Sequence, residues 1–175
     1  MPMDQHAAYI GIGSNIGDRF SHLQEALRRM SELEGTTISA ASRIYETEPV
    51  GEEEQNRFYN GVVLINTALE PEDLRRSCKK IEHELGRPET YRRWSPRVID
   101  LDLLLYDNCT ISTETLNIPH PELHRRKFVL VPLLDTGNPM HPIMKKSASE
   151  LLASCPDPSV PIRIQQQLDI KKGHP

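Results

Sequence analysis

An α+β fold is predicted for these 175 residues, with an antiparallel sheet, helices packed on one face of it, and additional helices towards the C-terminus. Three observations predict it. Four short runs with apolar or alternating character read as strands. Two longer segments between them carry apolar residues at helical spacing. The order is β-α-β-β-α-β, with neither an internal repeat nor a linker that would divide the chain.

Ala7 to Ile12 ("AAYIGI") is the first strand, an apolar run ending in glycines. Asp18 to Leu33 follows as a helix, with Leu23, Leu27 and Met30 on one side. Thr36 to Tyr45 alternates Ile38, Ala40, Ser42 and Ile44, as a half-buried strand does. "ETEPVGEEEQN", Glu46 to Asn56, breaks the pattern with Pro49, Gly51 and acidic residues, and is expected as an exposed loop. Phe58 to Leu69 is β-rich again. Pro71 opens the second helix at its first turn; Leu74, Cys78, Ile81 and Leu85 mark its buried face, and Gly86 closes it. A loop with two prolines leads to the fourth strand, Val98 to Tyr106. Beyond it, Glu122 to Leu134 is expected as one helix despite Pro132, and Ser147 to Ala153 as another, with Ser147 and Glu150 forming a capping box. Residues after Gln165 read as a polar, frayed tail. This order is the ferredoxin-like plan.

The bulk properties bound the function. One domain of this length buries a real core. A net charge of −4 supplies no general attraction for nucleic acid or an anionic membrane. No apolar run is long enough for a bilayer span, and no leader pattern opens the chain. Cys78, Cys109 and Cys155 are scattered and odd in number, which points to a reducing cytoplasm rather than a disulfide framework or a zinc site.

The fourth strand carries the chemistry. Side chains alternate along a strand, so Ile99, Leu101, Leu103 and Leu105 share one face, expected against the helices. Val98, Asp100, Asp102, Leu104 and Tyr106 share the other, expected to be open to a ligand. The β-carbons of the two aspartates stand roughly 6.7 Å apart at the strand rise. At an effective dielectric near 20 the two charges repel by about 2–3 kcal/mol. A lone D-x-D is usually a solvated strand face. Here Arg87, Arg92, Arg93 and Arg97 lie in the loop feeding the strand, with Trp94 among them. Hard divalent cations take carboxylate oxygens together with substrate phosphates, and arginine forks match phosphate oxygens. The combination points to a nucleoside triphosphate with its metal.

Other features weigh less. "GIGSNIG", Gly11 to Gly17, lacks the spacing and the acidic residue of a dinucleotide loop, and reads as a strand-to-helix turn needing glycine. His120 and His124 in "PHPELH" are four apart, but the prolines place His120 in a loop, where hydrogen-bonding a phosphate suits it better than zinc. Arg125, Arg126 and Lys127 fit a solvated helix face and phosphate contacts equally well. Phe58 and Asn60 share a strand face; an amide beside an aromatic suits a flat heterocycle with amide-like edges.

With these residues the chain resembles the 6-hydroxymethyl-7,8-dihydropterin pyrophosphokinases of folate biosynthesis. The resemblance runs through "AYIGIGSNIGDR", "YETEPVG", "FYNGVV", "IEHELGR", "RRWSPRVIDLDLLLY" and "IPHPELHRRKFVLVPL". It implies transfer of the terminal pyrophosphoryl group of ATP to the hydroxymethyl oxygen of the pterin, with release of AMP. It places two Mg²⁺ ions at Asp100 and Asp102, and makes Arg87 and Arg97 the catalytic arginines that close over the phosphates. His120 and Arg126 match ATP-phosphate contacts, while Glu82, Leu103 and Asn117 match the lining of the nucleotide site. Phe58 and Phe128 match the aromatics that sandwich the pterin; Asn60 reads its edge with the backbone of Thr47 and Val50, and Trp94 belongs to a mobile lid over it. A single domain of residues 1–165, a polar tail of 166–175 and a monomer are expected. Four positions depart from the family pattern: Glu48, Glu89, Ser95 and Thr115, the last standing where a basic residue is common.

Two other classes share part of this pattern. A nucleotidyl- or glycosyltransferase with D-x-D would need no Phe58/Asn60/Phe128 pocket. A non-catalytic ferredoxin-like module binding RNA would show exposed aromatics in basic motifs, which this acidic chain lacks.

Overall fold

The computed structural model describes residues 3–51 and 54–171, so part of the acidic loop and the end of the tail lie outside the described residues. The elements are β1 (His6–Ser14), α1 (Arg19–Ser31), β2 (Thr36–Ala41), β3 (Tyr45–Thr47), β4 (Phe58–Thr67), α2 (Pro71–Glu84), β5 (Asp100–Tyr106), β6 (Ile111–Ser112), β7 (Asn117–Ile118), a 3₁₀ turn (Leu123–Arg125), α3 (Lys127–Thr136), α4 (Ala148–Ala153) and β8 (Ile162–Arg163).

The main sheet runs β5-β1-β4-β3-β8, with β2 also on β4, and its pairings are antiparallel. This is the expected ferredoxin-like order. Asp18 caps α1 by accepting from the Ser21 N–H at 3.1 Å. Pro71 occupies the first turn of α2, and Gly86, at φ +106°, ends it. Leu23, Leu27 and Met30 of α1 join Leu74, Cys78 and Ile81 of α2 on one face of the sheet. The C-terminal α3 and α4 cover part of the opposite face with Val129, Leu130, Leu133 and Leu151. The capping box of Ser147 and Glu150 is present at α4.

Four expectations change. The strand expected over Thr36–Tyr45 is two strands. Ser42 Oγ accepts the Val62 N–H at 2.8 Å, so a side chain takes a ladder bond and the backbone turns. The helix expected over Glu122–Leu134 breaks at Arg126, whose backbone is extended (φ −126°, ψ 109°), and restarts where the Asp157 carboxylate accepts the Lys127 N–H at 2.9 Å. The expected frayed tail is docked as far as the described residues go. Ile164, Leu168 and Ile170 pack on the core, and Gln24 exchanges two hydrogen bonds with the Asp169 backbone, at 2.9 and 2.8 Å.

The fourth change concerns β5. Tyr9 pairs with Leu105 and Ile10 with Leu103, which leaves Leu104 as an extra residue in a bulge. Alternation therefore slips. Ile99, Leu101 and Leu103 meet α1 and α2 as expected, but Leu105 joins Leu104 in the α3/α4 cluster, and Tyr106 turns to the first face.

Candidate active site

The floor of the site is built by three neighbouring strands. Gly13 of β1 pairs with Asp100 of β5 on one side and Asn60 of β4 on the other; Gly11 likewise pairs with Asp102 and Val62. A Cβ at Gly13 would lie 2.7 Å from Asn60 Oδ1. The glycines of "GIG" thus keep the floor flat enough for side chains from both neighbours, while Gly17, at φ +66°, supplies the expected turn. Over this floor opens a cavity of about 450 Å³.

Its walls bring together Asp100, Asp102, Arg87, Arg97, His120 and Arg126 with Thr47, Val50, Phe58, Asn60, Trp94 and Phe128. Both oxygens of Asp100 are engaged by arginine: Arg87 Nη1 donates to Oδ1 at 2.6 Å and Arg97 Nη1 to Oδ2 at 3.2 Å. Asp102 is different. Burial, and then the neighbouring Asp100 charge, push its carboxyl up to about 7. Such a group is short of positive charge. Among the described residues no cluster of three or more His, Cys, Asp or Glu side chains could hold a metal by itself. The carboxylate pair fits instead a hard cation that draws its remaining oxygens from a substrate.

Three rings of the cavity lie next to guanidinium groups. The Arg97 guanidinium carbon lies 5.3 Å from the Phe58 ring centre, and that of Arg126 lies 5.5 Å from Phe128 and 5.7 Å from Trp94. Each ring that could take a flat heterocycle is thus next to a cation that could take its phosphates. Asn60 Nδ2 donates to Thr47 Oγ1 at 2.6 Å, which fixes the amide and leaves its oxygen on the Gly13 side. His120 Nδ1 accepts the Glu122 N–H at 3.1 Å, so Nε2 carries the proton of the neutral ring and is the donor available to an anion. Burial, then Arg126, lowers the His120 pKa and keeps that ring neutral near pH 7.

A second cavity of about 230 Å³ joins the first along Lys79, Asp102, His120 and Pro121, and holds the expected Leu103 and Asn117. Glu82 lines neither. It is buried and turned inward, accepting from Arg87 Nη1 at 2.9 Å, from the Leu101 N–H at 2.9 Å and from Lys79 Nζ at 3.0 Å. Its charge therefore orients Arg87 and Lys79 rather than facing a ligand.

Residues outside the sequence reading also reach the site. Lys79 lines both cavities; on a helix reading "CKKIEHE" it is indistinguishable from a solvated lysine. Tyr91 lies under the Arg87 guanidinium at 3.8 Å. Asn15, almost wholly buried, accepts the Arg97 N–H at 2.8 Å and donates to Gln55 Oε1 at 3.1 Å, tying the arginine loop to the segment before β4. The Gln55 amide in turn donates to the Trp94 carbonyl, where the backbone of the arginine loop turns through φ +64°. The signal for Asn15 was present in "GSN", since an asparagine just after a strand is a turn residue that often binds backbone.

Comparison with known proteins agrees with this geometry. The family described as 7,8-dihydro-6-hydroxymethylpterin-pyrophosphokinase (HPPK) matches residues 9–138. The 2-amino-4-hydroxy-6-hydroxymethyldihydropteridine pyrophosphokinase of Bacillus subtilis is 46% identical over 128 residues, 73% of this chain and 76% of that protein. The folic acid synthesis protein fol1 of Schizosaccharomyces pombe is 42% identical over 166 residues, 94% of this chain but 22% of that protein. The chain thus spans about a fifth of that longer relative and three quarters of the bacterial one. Among solved structures, Plasmodium falciparum HPPK-DHPS, crystallised with pterin and p-hydroxybenzoate, superposes with a TM-score of 0.67 at 18% identity over 86% of this chain and 42% of that one, a likeness of fold. With its sheet order, its carboxylate pair among arginines and these matches, the chain belongs to the 7,8-dihydro-6-hydroxymethylpterin-pyrophosphokinase family.

Proposed function

We propose that the protein transfers the pyrophosphoryl group of ATP to the hydroxymethyl oxygen of 6-hydroxymethyl-7,8-dihydropterin, releasing AMP, as a step of folate biosynthesis. The observation that carries this reading is the junction of one carboxylate pair with two pockets. On one side lie two ring faces and a fixed amide, on the other a narrower cavity, with Arg87, Arg97, Arg126 and His120 around the join.

In this reading Phe58 and Phe128 hold the pterin ring, Asn60 reads its edge with the backbone of Thr47 and Val50, and Trp94 closes over it. Leu103 and Asn117 take the nucleoside. Asp100 and Asp102 would hold Mg²⁺, proposed as two ions, which would offset the charge of the triphosphate. The chain's own residues do the rest. Arg87 and Arg97, which now pair with Asp100, turn to the phosphates; a well-placed arginine contributes about 10³–10⁵ in rate in other phosphoryl transfers. His120 donates through Nε2, and Arg126 adds charge. The hydroxyl attacks the β-phosphorus in line, positioned rather than activated, since none of these side chains is an evident base for it. The lid excludes water that would divert the transfer to hydrolysis. No helix of the described residues is long and apolar enough to cross a membrane. A cytoplasmic monomer without nucleic-acid partners completes the proposal.

The test is product analysis with ATP, Mg²⁺ and 6-hydroxymethyl-7,8-dihydropterin. AMP formed only with pterin present, and lost in Asp100→Ala and Asp102→Ala, is the expected result. ADP instead would place the attack on the γ-phosphorus and overturn the reading. Pterin binding with no nucleotide product would mean a binding protein.

A further inference from the structure

The second cavity has aliphatic walls from Leu101, Leu103 and Leu116, and one polar corner that the reaction does not explain. There Arg75 of α2 points its guanidinium at Glu72, one turn earlier on the same helix. Nε donates to both carboxylate oxygens, at 3.1 and 3.0 Å, and Nη2 to Oε1 at 2.7 Å. Thr115, from the loop before β7, donates its hydroxyl to the same carboxylate at 3.2 Å. Helix-surface pairs of this spacing usually serve only the helix, for a few tenths of a kcal/mol. This one differs in three respects. The Arg75 side chain is only 24% exposed. Both Arg75 and Thr115 line the cavity, and the clamp spans two elements. Finally, Glu72 uses Nε and Nη2, which fixes the guanidinium plane while leaving the Nη1 end of the fork for another partner.

We infer that Arg75 is a nucleotide-specificity residue: clamped by Glu72, which Thr115 holds in turn, its guanidinium plane stacks on the base of a purine nucleotide whose other face meets the leucines of the second cavity. The inference rests on the proposed binding of ATP across the two cavities. Guanidinium is planar and weakly hydrated, and it stacks on flat π-systems where an ammonium group cannot. Holding the plane in advance spares the rotamer entropy that a free arginine would lose on binding. The position of Arg75 also supplies a cation on the nucleoside side, where position 115 holds a threonine.

The experiment measures binding of Mg-ATP and of Mg-inorganic triphosphate by calorimetry, without pterin, for wild type, Arg75→Met and Arg75→Lys. Met weakens ATP binding about tenfold, the size of one stacked cation contact, and leaves triphosphate binding unchanged. Lys, which keeps the charge and loses the plane, behaves as Met does. ATP affinity within twofold of wild type in Arg75→Met overturns the inference. So does equal weakening of ATP and triphosphate, which would make Arg75 a phosphate contact, or full rescue by Lys, which would make it a point charge. Wild-type protein that binds neither probe would overturn the pyrophosphokinase reading itself, and this inference with it.

Discussion

Nη1 of Arg87 sits 2.6 Å from Oδ1 of Asp100 and 2.9 Å from Oε1 of Glu82, so one nitrogen joins a carboxylate of the cavity floor to a carboxylate of the buried helix face. The two bonds are not equivalent. Arg87 and Glu82 are both almost wholly buried, whereas Asp100 is partly open to the cavity. Arg87→Ala would take the shared buried cation from two carboxylates, leaving Asp100 with Arg97 and Glu82 with Lys79 and the Leu101 N–H, and is expected to cost about 3 kcal/mol, the low end for breaking a buried pair. Asp100→Ala leaves Arg87 with Glu82 and is expected to cost less than 1.5 kcal/mol while reducing turnover by about 10³ or more. Urea denaturation of the two variants checks the order; equal losses of stability would mean that the Glu82 bond contributes little.

Asp102 makes stability depend on pH in an unusual direction for a carboxylate. Its folded pKa, about 7, lies above the ordinary value of 3.8, so between these pH values the folded state holds a proton that the unfolded state has released. The group's contribution is fully present below pH 3.8 and is lost as pH rises through about 7. The neutral His120 works in the opposite sense, since its lowered pKa costs stability as pH falls below 6.5. Subtraction separates them. Urea midpoints in the presence of a chelator, measured from pH 4 to pH 8 for wild type and Asp102→Asn, are expected to show wild type losing ground against the variant as pH rises. A constant difference would place the Asp102 pKa in the ordinary range.

Gly13→Ala tests the flat floor. Its Cβ would stand 2.7 Å from Asn60 Oδ1, too close for any contact of that kind, so the amide must move and its 2.6 Å bond to Thr47 must lengthen. Pterin affinity is expected to fall about tenfold or more, one misplaced polar group being worth over 1 kcal/mol, with Mg-ATP affinity nearly unchanged. Binding titrations of each ligand alone decide it. Equal losses for both would point to a general distortion of β1.

Removal of residues 164–175 tests the docked tail. Ile164, Leu168 and Ile170 each surrender part of the 1.5–3 kcal/mol or so that full burial of such a side chain contributes, and Gln24 loses the Asp169 backbone. A combined loss of about 2–4 kcal/mol lowers Tm by roughly 5–15 °C in a chain of this size. An unchanged Tm would show that the tail adds nothing to the fold.

The legible parts of the molecule were those whose signal is local. Asp100 and Asp102 announced themselves because a period-two strand pattern exposes two carboxylates on one face, and the arginines lie within the same short stretch of sequence. Phe58 and Asn60 were readable for the same reason. Phe128 entered only through the family resemblance, because its approach depends on the break at Arg126, and that break depends on Asp157, thirty residues away. Glu82 was placed at the nucleotide by the family resemblance alone, and nothing local in the sequence tells that its head turns inward to an arginine. Asn15 and Lys79 act through partners that are distant in sequence. The tail looked frayed because polar residues dominate it, while three spaced aliphatic side chains suffice to anchor it.

The bulge at Leu104 makes β5 a partition with two regimes. Upstream of it the strand has one dry side and one wet side, and the wet side can carry charge. Downstream both sides are dry, and Leu104 and Leu105 seal the end of the trough beneath α3. A single surplus residue thus sets where a ligand-bearing surface stops and a second core starts. Deleting Leu104 would restore the alternation with Leu105 still opposite Tyr9 and on the α3/α4 side, and would take one of the two leucines out of the seal without touching either aspartate.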